Sequence, residues 1–200
     1  MKSSDSYKSI EGISKGTYRE KASKFISFAI PVSSVKEVKE HLTRLRKEYY
    51  DANHHCYAYR IGYPEYVYRI NDDGEPSGSA GKPIYGQILS RQLSDILVVV
   101  IRYFGGTKLG IPGLIHAYKT TAQEALDHAK RCTHVLVDRY TIKFNYLQMN
   151  DVMRILKQEK AEIISQECDN DCKTDFSIRK SKSEKLKSRL SKLMNICIYE

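Results

Sequence analysis

The sequence predicts an α+β protein of two domains, and three observations support this fold class. The run Ile96–Ile101 is apolar at every position and is followed by two glycines and a helical stretch, as expected of a buried central strand. Around it, helical stripes and alternating strand patterns follow one another up to residue 133. After residue 133 the pattern starts again in the order β-α-β-β-α-β. We therefore expect one domain at 1–133 and a second at 134–200.

The first domain is expected to begin with a frayed polar segment, residues 1–14. Alternating apolar residues up to Val32 predict a strand with a partner strand before it. Ser34 and Glu37 form a capping box, which predicts a helix. The segment 71–81 is too rich in Asp, Gly, Pro and Ser for regular structure. The other expected elements are strands at His55–Ile61 and Tyr66–Ile70, a helix at Ile84–Gln92 that Pro83 introduces, and a helix from Pro112 to about Lys130.

The second domain has the pattern of a small unit with its own apolar faces. A second capping box, Ser181 with Glu184, predicts its last helix. The expected elements are a strand within Val135–Tyr146, a helix around Met149–Leu156, strands at Ala161–Glu167 and Lys173–Arg179, a helix at Ser181–Met194 and a strand at Asn195–Tyr199.

Composition narrows the classes of function. The formal net charge of +9 allows an RNA, ribosome or acidic-protein partner, and a basic surface without such a partner is the alternative. Five cysteines, an odd number, fit reduced thiols better than a disulfide framework. Cys168 and Cys172 lack the further ligands of a zinc site. No apolar run approaches the roughly 20 residues that span a bilayer, and the first residues lack a signal-peptide core. We expect a cytoplasmic protein without membrane association.

Several long motifs resemble the signature of the IMPACT/YigZ family, in its bacterial form. They are DDGEPSGSAGKPI, VVVIRYFGGTKLG and GLIHAY, with HHCYAY as a further block. The resemblance is strong from about Thr17 to Leu126. It implies an N-terminal domain that is similar to a small-subunit ribosomal protein, a C-terminal ferredoxin-like domain, and a role linked to translation. Two departures weaken the transfer of an anion-binding role to the helix start: Ile111-Pro112 replaces the usual Ala-Gly, and His116 replaces Arg.

The glycine-rich loop after the central strand is the main candidate for a binding site. Unpaired N–H groups at a helix start suit an anion, although glycines at such a turn often serve only the turn itself. The candidate ligand-binding residues are Arg102, Gly105, Gly106, Lys108 and Gly110. We expect the 71–81 stretch to wall the same cleft, because two irregular backbones can satisfy each other's polar groups. The cleft residues expected from the motifs are Asp72, Asp73, Glu75, Ser77, Ser79 and His55.

No catalytic residue, metal or cofactor is predicted. Asp72, Asp73 and Glu75 lack the spacing of a calcium loop, and a turn capped by its own Asp side chains explains them as well. The Gly81-Lys82 pair does not complete a phosphate-binding P-loop, because Pro76 and Pro83 occupy required positions. Neither serine of the stretch fits a nucleophile elbow.

The last helix carries Lys185, Lys187 and Arg189, which are candidates for contact with an RNA backbone. A solvated amphipathic face is the alternative. We expect a non-enzymatic, translation-linked regulatory protein that associates with the ribosome or RNA. One alternative is an enzyme or binding protein for a small phosphorylated or carboxylated metabolite, and another is a module that meets an acidic protein. The ligand, the physiological process and the oligomeric state stay open.

Overall fold

The computed structural model describes residues 5–169, 171–193 and 196–199. These residues form three β-sheets and five α-helices, so the mixed class of helices and strands is confirmed. The chain divides into two compact units. One contains residues 7–134, and the other contains residues 5–6 with the described part of 135–199. Each unit is described separately below.

A five-stranded antiparallel sheet forms the centre of the larger unit. In chain order the elements are β1 (Ser6–Glu11), β2 (Ser14–Glu20), β3 (Ser23–Pro31), α1 (Val35–Glu48), β4 (His54–Ile61), β5 (Val67–Asn71), α2 (Gly81–Ser90), β6 (Ile96–Tyr103), α3 (Gly110–His128) and β7 (Lys130–Val135). The strand order in the sheet is β2-β3-β6-β4-β5, so β6 is central as predicted. Both faces of β6 are buried from Ile96 to Arg102.

Two apolar cores cover the two faces of this sheet. On one side, α2 and α3 pack with Phe25, Cys56 and Val98, and the alanines of α3 permit close approach to the sheet. On the other side, Val38, Leu42 and Leu45 of α1 pack with the tyrosines and aliphatic residues of β4 and β6. The α1 cap is also confirmed, since the Ser34 hydroxyl accepts from the Glu37 N–H. The Glu37 carboxylate accepts from Ser33 N rather than from Ser34 N.

The prediction that residues 1–14 are frayed is wrong for the described part of this segment. Residues 6–11 form β1, which pairs with β7 in a separate two-stranded sheet. Ile10 is 2% exposed and belongs to the core beneath α2 and α3. β7 is the second element that was not predicted. Residues 1–4 lie outside the described part of the chain.

The smaller unit contains the predicted order β-α-β-β-α-β. Its elements are β8 (Val137–Phe144), a short 3₁₀ turn (Tyr146–Gln148), α4 (Met149–Glu159), β9 (Glu162–Cys168), β10 (Cys172–Arg179), α5 (Lys180–Leu190) and β11 (Cys197–Tyr199). The sheet is antiparallel, with strand order β11-β8-β10-β9. Apolar side chains of α4 and α5 join those of β8 and β10 in one core.

The predicted Ser181–Glu184 capping box is wrong. α5 begins at Lys180, so Ser181 lies inside the first turn and the N-cap residue is Arg179, without a side-chain cap. The Ser181 hydroxyl donates instead to Asp5 Oδ2, at 2.5 Å. The expected helix end at Met194 and the strand start at Asn195 fall on residues outside the described part.

Candidate functional site

A cleft of about 380 Å³ opens in the larger unit where the two predicted stretches meet. The end of β6 and the start of α3 form one wall, and the loop between β5 and α2 forms the other. Its lining combines four polar or charged side chains with apolar ones: His54, Glu75, Pro76, Arg102, Phe104, Lys108, Leu109, Gly110, Ile111 and Leu114. The structure therefore brings the 71–81 and 102–110 stretches together, whereas ligand binding in the cleft stays a prediction.

A buried charge pair joins the two walls. The Arg102 Nη1 donates to Glu75 Oε1 at 2.6 Å, and the two residues are 5% and 9% exposed. The rings of Phe25 and Phe104 flank the guanidinium, at 5.5 and 5.4 Å from its central carbon. Arg102 Nε has no hydrogen-bond partner, although it is buried. The pair fixes the loop against β6 and leaves one strong donor unused.

Tyr118 and Cys56 extend this pair into the core. The Tyr118 hydroxyl donates to Glu75 Oε1 at 2.7 Å, and the Cys56 thiol lies 3.3 Å from the Tyr118 oxygen. Burial raises the pKa of the Cys56 thiol well above its ordinary value, and burial with the neighbouring Cys56 and Glu75 does the same to the pKa of Tyr118. Both groups therefore stay protonated, and the Cys56 thiol is also within 3.0 Å of the Asp72 carbonyl oxygen, so its single proton can go to either acceptor.

His54, rather than the predicted His55, lines the cleft. The two residues are adjacent on β4, so their side chains point to opposite faces of the sheet. His54 Nδ1 donates to the carbonyl oxygen of Asp73 at 2.8 Å, which directs Nε2 towards Glu75 Oε1, 3.9 Å away. His55 is buried on the α1 side, and its Nε2 has no hydrogen-bond partner. Burial lowers the pKa of His55, against the opposing effect of Asp73.

The acidic residues before α2 mainly organise their own loop. Asp72 accepts backbone N–H bonds from Gly78, Ala80 and Gly81, at 2.7 to 3.0 Å. Burial alone would raise the pKa of Asp72, but these three bonds outweigh it and lower the pKa below its ordinary value. The carboxylate thus caps α2 from outside the helix, because Ala80 at the N-cap has no side-chain acceptor. Asp73 binds Arg46 at 3.0 Å and the His55 N–H at 2.7 Å.

The two serines differ from each other. Ser79 is fully buried, and its hydroxyl donates to the Pro76 carbonyl at 2.6 Å. Ser77 is exposed on the loop. Of the predicted residues in this stretch, only Glu75 lines the cleft, since Asp72, Asp73, Ser77 and Ser79 do not belong to the lining.

The glycine loop has separate steric and conformational requirements. A side chain at Gly105 would place its Cβ 2.1 Å from the backbone carbon of Ala22. Gly106 and Gly110 have φ angles of +83° and +71°.

α3 begins without a side-chain cap, and Lys108 and Gly110 line the cleft beside its first turn. Pro112 removes one N–H donor from this turn. His116 is exposed on α3 and lies beside Tyr18.

The three candidate RNA contacts on α5 already have partners inside the smaller unit. Lys185 Nζ and Arg189 Nη1 lie 2.8 and 2.6 Å from Glu159 Oε1. These bonds lower the pKa of Glu159, which is itself 4% exposed. Lys187 lies 3.7 Å from Glu184 and above the ring of Tyr140. Their role towards RNA stays a prediction.

Within the described ranges, no three side chains of the His, Cys, Asp and Glu types are grouped so that they could hold a metal ion. None of the helices in those ranges is long and apolar enough to cross a membrane. Sequence reasoning missed His54, Cys56 and Tyr118 as members of the site. All three lie within the motif blocks HHCYAY and GLIHAY, which were the signal that could have identified them.

Comparisons with known proteins agree with the motifs. Residues 21–126 match the model of the Impact N-terminal domain. The IMPACT family member YvyE of Bacillus subtilis is 44% identical over 106 residues, which are 53% of this chain and 49% of that protein. The IMPACT family member YigZ of Escherichia coli is 34% identical over 147 residues, 72% of each chain. The chain thus spans about half the length of YvyE.

A crystal structure described as that of a hypothetical protein is similar over almost the whole chain. It shares 27% sequence identity and a TM-score of 0.70, and the alignment covers 97% of this chain and 96% of that one.

Proposed function

Because the chain belongs to the IMPACT family, we propose that it is a non-enzymatic regulatory protein linked to translation, which associates with the ribosome or with RNA. Family membership and the net charge of +9 support this proposal. The observation that carries it is a basic face on the hairpin of β2 and β3. A cytoplasmic location is part of the same proposal.

Lys15, Arg19 and Lys24 share one face of this hairpin. In the antiparallel register Lys15 lies opposite Phe28 and Arg19 lies opposite Lys24, and residues opposite each other project to the same side. All three are exposed. Lys15 Nζ lies 5.4 Å from the centroid of the Phe28 ring, and Lys24 Nζ lies 5.9 Å from that of Tyr103. In such a face, the cations can contact RNA phosphates and the aromatic rings can stack on bases.

The α5 cations are a weaker candidate for the same contact. A phosphate group that binds Lys185 or Arg189 has to compete with the Glu159 carboxylate, which both side chains already contact. We therefore expect the hairpin face to contribute more to RNA affinity than α5 does.

Binding to ribosomes and single-stranded RNA tests the proposal. The logarithm of the affinity should fall linearly with the logarithm of salt concentration. Replacing Lys15, Arg19 and Lys24 with Gln should flatten that slope, and replacing Lys185, Lys187 and Arg189 with Gln should change it less. The absence of binding at about 50 mM salt, where electrostatic attraction is strong, would refute the RNA proposal. Recovery of partners that resists nuclease but not salt would indicate an acidic protein instead.

A second candidate function is the binding of a small anionic metabolite, with or without its chemical conversion, in the cleft. Arg102 and Lys108 in the lining and the uncapped start of α3 favour it. Phosphate and citrate are suitable probes in a thermal-shift titration. Lys108→Ala should abolish the anion-dependent rise in Tm, and Lys119→Ala, an exposed lysine farther along α3, should keep it. If both variants keep the rise, the cleft is not the anion site.

We also propose that 1–133 and 134–200 are separate domains, the first ribosomal-protein-like and the second ferredoxin-like. The strand order β11-β8-β10-β9, with α4 and α5 sharing one core against the sheet, supports the second assignment.

A further inference from the structure

Three sulfur-containing side chains lie together at one end of the smaller unit. Cys168 ends β9 and Cys172 begins β10, and the two residues lie directly opposite each other across these antiparallel strands. Residues opposite each other in an antiparallel pair project to the same side, so both thiols lie on one face of this hairpin. The Gln166 Nε2 lies 3.2 Å from Met149 Sδ and 3.9 Å from Cys168 Sγ. A single amide group thus contacts both the thioether and one of the two thiols.

The cluster lies at the margin of the core, where an ion from solvent can reach it. Cys172 is 1% exposed and packs with Phe144 and Phe176, whereas Cys168 is exposed. Met149, the first residue of α4, is half-buried and packs against the same core. The site therefore has a buried side that holds two sulfur atoms and an open side that is formed by Cys168.

The donor set selects the class of ion. Thiolate and thioether sulfur are soft ligands that favour Cu(I), whereas Zn²⁺ usually takes four sulfur, nitrogen or oxygen ligands. Over residues 5–169, 171–193 and 196–199, no group of three His, Cys, Asp or Glu residues is available for such a set. Met149 is the third donor here, and its thioether is a ligand for a soft ion rather than a hard one.

We propose that Cys168, Cys172 and Met149 form a binding site for a monovalent copper ion. Both thiols lose their protons when they bind Cu(I), so two protons are released and the site changes from neutral to a net charge of −1. No electron is transferred, because the copper enters as Cu(I). The Gln166 amide donates towards Met149 Sδ and Cys168 Sγ and so positions two of the three ligands.

Anaerobic titration of the reduced full-length protein tests this site. Bicinchoninate, a chromophoric Cu(I) chelator, serves as the competitor, and native mass spectrometry gives the stoichiometry. We expect one copper ion per chain. Cys168→Ser should weaken the affinity at least about 100-fold, and Met149→Leu, which keeps the volume and the helix, about 10-fold.

Cys197→Ser is the matched control on the same sheet. Cys197 lies opposite Lys143 on β8, whereas Cys172 lies opposite the neighbouring Phe144, so the two cysteines project to opposite faces. Cys132→Ser is the second control, because Cys132 Sγ lies 3.5 Å from His134 Nε2 and forms a different sulfur and nitrogen pair. Both control variants should bind copper like the unaltered protein.

Three outcomes would overturn the proposal. The first is that bicinchoninate removes all copper from the unaltered protein. The second is that Cys168→Ser retains full affinity while circular dichroism shows a folded protein. The third is tighter binding of Zn²⁺ than of Cu(I) with the same dependence on the three residues.

Discussion

Arg102 and Glu75 form a buried charge pair whose loss has a predictable effect. Removing one partner leaves the other charge without compensation in the interior, which typically costs about 3–5 kcal/mol. We expect Arg102→Met to lower the free energy of unfolding by that amount, measured by urea denaturation. Arg46→Met breaks the exposed Arg46–Asp73 pair in the adjacent loop and should cost at most about 1 kcal/mol. Equal losses in the two variants would contradict a buried pair.

His55 gives the larger unit a dependence on pH. Burial lowers its pKa below the ordinary value of 6.5, and Asp73 only partly opposes this. The unfolded chain takes up a proton at the ordinary pKa while the folded protein resists it, so stability falls as the pH drops below 6.5. His55→Asn should reduce this slope below about pH 6.5 in urea-midpoint measurements. His41→Asn removes the contribution of the other histidine with a lowered pKa, and unchanged slopes in both variants would contradict the prediction.

The two adjacent histidines also show how far the sequence leads. Alternation along β4 correctly predicts that they point to opposite faces, but it does not reveal which face meets the cleft. That choice depends on the 71–81 loop. The Asp73 carbonyl oxygen accepts a hydrogen bond from His54 Nδ1, and the Asp73 carboxylate accepts one from the His55 N–H. Both contacts join residues that are 18 or 19 positions apart and are set by tertiary structure.

The loop between β6 and α3 contains two glycines that are required for different reasons. Gly105→Ala would place a Cβ against the backbone of Ala22 and Ser23, where nothing flexible can move aside. Gly106→Ala meets open space but keeps a positive φ, which costs about 1–2 kcal/mol. We therefore expect Gly105→Ala to lower the free energy of unfolding more than Gly106→Ala. The prediction would be contradicted if Gly106→Ala lowered the free energy of unfolding more than Gly105→Ala, or if Gly105→Ala left it unchanged.

Periodic elements were predictable, and pairings between distant segments were not. The helices α1 and α3 and the strands β3, β4 and β6 follow from apolar spacing and caps within each segment. β1 has few apolar residues of its own, and it is stabilised by β7, more than 100 residues later, and by burial of Ile10. The α5 cap failed for a related reason, since the Ser181 hydroxyl binds Asp5 instead of its own helix. Local patterns carry no information about such partners.

Whether 134–200 folds alone is the prediction that concerns the whole molecule. In the described part of this segment, eleven apolar residues are buried in one core, and they come from β8, β10, α4 and α5. Among the described residues at the start of the chain, Asp5 and Ser6 join this unit. Asp5 accepts from Leu136 N at 2.7 Å and from the Ser181 hydroxyl, and it lies 3.9 Å from Arg179.

We therefore expect the isolated segment 134–200 to give a dispersed NMR spectrum and a cooperative thermal transition. Without Asp5, it loses two hydrogen bonds that are each worth about 1 kcal/mol, so its Tm should fall below that of the same unit in the full-length protein. Asp5→Ala in the full-length chain is the matched control. It removes only the side-chain contacts with Ser181 and Arg179, and it should reproduce part of the loss. A disordered spectrum for the isolated segment, beside a folded full-length protein, would show that the segment depends on the rest of the chain for its stability.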